Sequence, residues 1–113
     1  MNFIWIKTQF EGIHCYPNAP KEVDFLRVRH RHIFHVKVMI EIFHDNRDIE
    51  FILFKRYVDT LISDNNFDSM SCEMISDRFY DIISKKYPNR KMVIEVSEDN
   101  ENGSLKSYEN IPS

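Results

Sequence analysis

Between His32 and His44 the chain alternates with a period of two residues. The even positions, His32, Phe34, Val36, Val38, Ile40, Ile42 and His44, are apolar between two terminal histidines; the odd ones mix His35, Lys37 and Glu41 with Ile33, Met39 and Phe43. Successive side chains of a strand point to opposite faces, so this run predicts a strand with one core face and one mixed face. A mixed face that keeps apolar residues predicts partial burial, by another subunit or by edge packing within the chain. A second alternation opens the sequence: Ile4, Ile6, Thr8 and Phe10 share one parity, and Phe3, Trp5, Lys7 and Gln9 the other, which predicts a half-buried strand over 3–10. A third runs from Lys91 to Ser97, with Met92, Ile94 and Val96 inward and Glu98 at the strand's end.

Between these runs the period changes. His44 to Asp48 reads as a polar turn, and Ile49 to Leu53 as a returning strand that completes a hairpin. From Phe54 the apolar positions Tyr57, Val58, Leu61 and Ile62 follow helical spacing, predicting a helix that ends near 63–66. A second helix is predicted after Ser71, a suitable N-cap, with Glu73 in its first turn and Lys85 and Lys86 at its C-terminal end. Its apolar stripe is Cys72, Ile75, Phe79, Ile82 and Ile83, read as core. Gly12 offers a bulge or bend, and Pro17, Asn18 and Pro20 mark an irregular loop running toward Arg29. Residues 99–113 read as a polar, acidic tail with a turn at Asn102-Gly103 and at most one short strand. The expectation is one α+β domain over 1–113, ordered β-β-β-α-α-β: a four-stranded antiparallel sheet with two helices on one face.

At 113 residues the chain is long enough for one core, and 42% hydrophobic with 29% charged residues is a globular composition. A formal charge of -3 argues against a protein that coats nucleic acid, which needs a basic footprint. Locally, Arg27, Arg29, Arg31 and Lys37 lie among His30, His32 and His35. Such a cluster can hold a phosphate or carboxylate, or form a solvated basic edge. The opening MNFIWIKTQF is too short an apolar run for a signal peptide or membrane span, so the expectation is a soluble, cytoplasmic protein. Its two cysteines, Cys15 and Cys72, are then read as free thiols. No glycine-rich phosphate loop, nucleophile elbow or CxxC pair is present, and no residue is assigned a catalytic role.

The candidate chemistry lies in the histidines. His30 and His32 face the same way if the strand already runs at His30, and His14 shares the parity of Phe10 and Ile6 if no bulge intervenes. Three imidazoles with an open fourth position are the donor set of a catalytic zinc site; the alternative is a group of structural or exposed histidines. Glu98 follows Ile94 and Val96 on the inward parity. Its carboxylate can accept two N–H donors from a flat heterocycle, or turn out to solvent.

Several short motifs resemble those of the 6-pyruvoyl-tetrahydropterin synthase and 6-carboxy-tetrahydropterin synthase family. Phe10-Glu11-Gly12-Ile13-His14 followed by His30-Arg31-His32 is similar to its F-x-x-x-H and H-G-H zinc motifs. Glu50 to Lys55 resembles D-F-x-x-L-K, Ser71 to Ser76 resembles T-x-E-N-L-A, and Val96 to Asp99 resembles the strand whose glutamate anchors the pterin. The resemblance covers residues 3–99 and implies a tunnelling fold that assembles as a homo-oligomeric barrel with pockets between subunits. It implies zinc on His14, His30 and His32, with Glu98 on the ligand's ring edge. The runs Asp68 to Met74 and Val96 to Gly103 also look like those of small proteins found in bacteriophages and some bacteria.

The chain departs from that family where chemistry is expected. Leu26 stands at the position of the catalytic cysteine, the connection Asp64 to Met70 lacks the family's Asp-His pair, and Arg31 replaces the glycine between the histidines. A proton transfer needs a group titrating near neutrality within reach of substrate. Cys15 is a poor substitute if it continues the strand, because it would then point away from His14. The expected function is therefore binding of a pterin-, purine- or nucleotide-like molecule, with Arg27, Arg29 or Arg31 on an anionic group and the synthase reaction lost. In a bacteriophage, sequestration of a nucleotide signal would suit such a protein. The alternatives are a zinc-dependent lyase, synthase or hydrolase with a displaced base, and a structural or interaction module without metal.

Overall fold

Two long alternating runs pair to form most of the sheet. In a computed structural model, which describes residues 1–62 and 66–109, β1 spans Asn2–His14 and β2 spans His30–Ile42. They are antiparallel in unbroken register, from Asn2 opposite Ile42 to His14 opposite His30. Gly12 makes no bulge; it lies directly opposite His32. The second strand thus begins two residues earlier than its apolar pattern suggests, because pairing with β1 carries it through His30. It stops at Ile42 rather than His44, where the Phe43 N–H donates to the Asp48 carboxylate at 2.7 Å and the chain turns.

The expected strand at Ile49 to Leu53 is instead the start of a helix. Glu50 is its N-cap and accepts from the N–H groups of Ile52 and Leu53 at 3.0 and 3.2 Å, opening α1 at Phe51–Thr60. The place beside β2 belongs to β3, Met92–Glu98. α1 ends at Thr60, short of the expected boundary, part of which lies outside the described residues. α2 spans Cys72–Lys86, and the Ser71 hydroxyl accepts from the Met74 N–H at 3.2 Å, as its N-cap position predicts. The loop after β1 holds a short 3₁₀ stretch, Lys21–Arg27, kinked at Val23.

The C-terminal segment takes the one short strand that the expectation allowed: Asn102–Tyr108 is β4, paired with β3. The turn lies earlier than Asn102-Gly103. Asp99 and Asn100 are left-handed, with φ of 54° and 59°, and the Glu101 N–H closes on the Glu98 carbonyl at 3.0 Å. Asp and Asn tolerate that conformation better than most residues, and a left-handed pair matches the twist of a tight hairpin. Little apolar burial marks β4. It is tied to α2 instead: Tyr108 stacks on Tyr80 with ring centres 4.1 Å apart, and both the Tyr108 hydroxyl and the Lys106 ammonium donate to Asp77.

The architecture is therefore α+β, with an open antiparallel sheet ordered β1-β2-β3-β4 and element order β-β-α-α-β-β. Phe34, Val36, Val38 and Ile40 of β2 and Met92, Ile94 and Val96 of β3 pack beneath Phe54, Val58, Ile75, Phe79 and Ile83 of the helices. Burial of each such side chain contributes roughly 1.5–3 kcal/mol relative to exposure. Ile82, expected in this stripe, remains 37% exposed at its rim, whereas Ser76 is fully buried and bonds to Tyr108. On the opposite sheet face, Trp5 is 54% and Leu105 65% exposed, with the Lys7 and Lys37 ammonium groups 5.9 and 4.9 Å from the Trp5 ring. Among the described residues, no helix is long and apolar enough to cross a membrane.

Candidate metal centre

The inward rows of three strands end in polar residues at the same end of the sheet. Phe10 leads to His14 along β1, Phe34 to His32 and His30 along β2, and Val96 to Glu98 along β3. Strand periodicity alone puts these side chains on the helix-covered face. His14, His30 and His32 each present one ring nitrogen to a common point, all within 4.8 Å of one another, close enough to hold a metal ion. Their ring centres are 4.6 to 5.3 Å apart and meet edge to face. Phe34 is the floor: it is fully buried, with its ring centre 5.2 Å from His14 and 5.9 Å from His32.

Each imidazole is held from behind through Nδ1. His14 Nδ1 lies 2.9 Å from the Met70 carbonyl and His30 Nδ1 lies 2.8 Å from the Val28 carbonyl. His32 Nδ1 lies 2.7 Å from an oxygen of Asp99, whose other oxygen accepts from the Ile33 N–H at 2.9 Å. A carbonyl only accepts, so Nδ1 of His14 and His30 carries the proton. Asp99 is held below the usual carboxylate range by the His32 ring and the Ile33 N–H, so it too accepts. A neutral ring protonated on Nδ1 exposes a lone pair on Nε2. All three Nε2 atoms are buried and have no hydrogen-bond partner. Three inward lone pairs are unfavourable together unless a cation lies between them, and imidazoles fixed from behind by carbonyls or carboxylates are the arrangement in which proteins hold metals.

Glu98 faces the same point. Its Oε1 is 3.1 Å from His14 Nε2 and its Oε2 is 3.3 Å from His32 Nε2, but neither contact has the alignment of a hydrogen bond. The Cys72 sulfur, at the start of α2, lies 3.9 Å from Oε1. Burial first, then the Glu98 carboxylate beside it, pushes this thiol up to about 12, so it is a neutral donor. Beside the cluster opens a cavity of about 620 Å³, lined by His14, His30, Glu98, Leu26, Cys15 and Cys72 among others. That volume suits a small organic ligand.

The arginines take other partners. Arg27 donates to the Ala19 carbonyl and Arg29 to Asn66, while Arg31 lies on the opposite sheet face and pairs with Glu11 at 2.8 Å. None of the three is among the cavity's lining residues. Cys15 differs from its expected placement. β1 ends at His14, so alternation does not extend to Cys15, and its side chain joins the cavity wall. His35 lines a separate hollow of about 670 Å³ with Lys7, Lys37 and Lys55, and His44 pairs with Asp48.

Sequence reasoning missed the outer contacts. Asp99 carried a usable signal, being the neighbour of Glu98 just past a strand end; the Met70 and Val28 carbonyls carried none, because every residue has one. The segment that supplies Met70 is stitched to β1: the Phe67 N–H donates to the Ile13 carbonyl and the Cys15 N–H to the Asp68 carbonyl, both at 2.8 Å. No protein-family model matches the chain, and no match is found among curated proteins.

Proposed function

We propose that this protein binds a pterin-, purine- or nucleotide-like small molecule at a zinc ion held by His14, His30 and His32. The observation that carries the reading is the convergence of three buried Nε2 lone pairs, each ring oriented through Nδ1, at the wall of a ligand-sized cavity. Imidazole nitrogens suit zinc among the common divalent ions, and zinc when bound supplies Lewis acidity to an oxygen or nitrogen of a ligand. Glu98 presents two acceptor oxygens for adjacent N–H groups on the edge of such a ring. Holding rather than converting the ligand is favoured by Leu26 in the cavity wall, at the position of the cysteine in the tetrahydropterin synthase-like family that the motifs resemble. Sequestration of a nucleotide signal is a role consistent with this chemistry. The exposed apolar residues of the open sheet face and the sheet's two edge strands support assembly into a homo-oligomer on the tunnelling fold.

Metal analysis and native mass of the purified protein test this together. The expected result is about one zinc per chain, a mass of several subunits, and a fall in the unfolding temperature on chelation. A metal at a hundred times its dissociation constant stabilises the native state by about 2.7 kcal/mol. A metal-free protein whose stability is indifferent to zinc and to chelator sinks the reading.

One observation favours a second reading, an enzyme of the same pocket: Cys15 lines the cavity beside His14. Turnover of a dihydroneopterin triphosphate-like substrate, lost in both Cys15→Ala and His32→Ala, would establish it over binding alone.

A further inference from the structure

Three histidines leave one position of a tetrahedral metal open, and the Glu98 carboxylate faces two of the three rings, His14 and His32. Donors sharing an edge of a tetrahedron with bonds of about 2.0–2.2 Å lie roughly 3.3 Å apart. Glu98 Oε1 is 3.1 Å from His14 Nε2 and Oε2 is 3.3 Å from His32 Nε2, each close to that spacing from one ring and not in hydrogen-bond alignment, so a swing of the carboxylate toward His30 would set one oxygen against all three rings. Resting on the reading that the tripod holds a divalent metal, we propose that Glu98 is its displaceable fourth ligand, closing the site at rest and exchanging to the small molecule when one enters.

The contrast with its neighbour supports displacement. Asp99 has both oxygens engaged, by a ring nitrogen and a backbone N–H, so it stays in place. Glu98, apart from the two imidazoles, has only the Cys72 thiol at 3.9 Å as a side-chain polar contact among the described residues, and its side chain is 24% exposed, at the cavity wall. The backbone of the two is pinned by the turn at Asp99 and Asn100, so exchange requires only side-chain rotation of Glu98. A matching ligand offers a donor oxygen or nitrogen to the metal beside an edge with two N–H groups, and the released carboxylate accepts from that edge. A centre closed by four protein donors holds no activated water, which fits a protein that stores its ligand.

Cobalt(II) substitution reads the coordination directly. The loaded wild type is expected to show the strong visible bands of four-coordinate cobalt and to accelerate bulk-water proton relaxation little. Glu98→Gln and Glu98→Asp are expected to weaken and shift those bands, raise the relaxation as water enters, and lower cobalt affinity by roughly 10-fold or more. Unchanged bands and affinity in both variants, with metal lost in His30→Ala, overturn the fourth-ligand role and leave the tripod. Strong water relaxation in the wild type, a measurement that needs no variant, overturns it equally. No cobalt uptake by the wild type removes the tripod reading as well.

Discussion

Replacing Gly12 by alanine would test whether the site's floor is packed as tightly as the structure shows. A Cβ at this position would lie 2.7 Å from Cδ2 and Cε2 of Phe34 and 2.9 Å from Cε2 of Phe67. To regain an ordinary 3.4 Å contact, the Phe34 ring must move by about 0.7 Å. That ring has no free space, since it is fully buried, stacked on Phe10 at 5.8 Å, against Phe67 at 5.6 Å, and edge-on to His14. Overpacking of this kind costs about 1–3 kcal/mol. Lower entropy of the unfolded chain offsets about 0.4–1 kcal/mol. The net loss expected is about 0.5–2 kcal/mol, or a fall of about 2–8 °C in the unfolding midpoint at the usual entropy per residue. Urea and thermal unfolding of the chelated protein measure it, and zinc titration should show weaker binding because Phe34 braces two of the imidazoles. A Gly12→Ala protein as stable as the wild type, binding zinc equally well, would refute the packing argument.

Three further outcomes follow from other parts of the molecule. Ser71→Ala removes the acceptor for the Met74 N–H and should cost about 1 kcal/mol, seen as a lower urea midpoint with an unchanged slope. With the Cys72 thiol pushed up to about 12 and buried, an alkylating reagent at pH 8 should modify Cys15 and leave Cys72 untouched until the protein unfolds; mass mapping checks it. Asp48, bonded to Arg90 and to the Phe43 N–H, is lowered from 3.8 to about 2 in the folded state. A depressed carboxylate stabilises the fold above its unfolded value and loses that contribution as pH falls through the folded one. Urea midpoints between pH 5 and 2 should therefore fall for the wild type, and less steeply for Asp48→Asn.

The strands β1, β2 and β3 were legible because a half-buried sheet writes its core face as every second residue; so were the caps and stripe of α2. Residues Ile49 to Leu53 misled because a short apolar run has no period of its own, and the deciding group was the Glu50 carboxylate capping the next turn. β4 was legible only as the one short strand the polar tail allowed, because Lys106 and Tyr108 anchor it through Asp77 on α2, a partnership made only once both elements are in place. The histidine donors could be read from parity, but their common focus depended on unbroken pairing through Gly12. Cys15 was misplaced because parity ends where the strand does.

The bond between His32 and Asp99 joins positions 67 residues apart. On a ribosome adding about 5–20 residues each second, the three histidines emerge roughly 3–13 s before the carboxylate that fixes the last of them. Throughout that interval the His32 ring lacks the acceptor that fixes its Nδ1. The three rings that could hold a metal are therefore fully oriented only late in the life of the polypeptide.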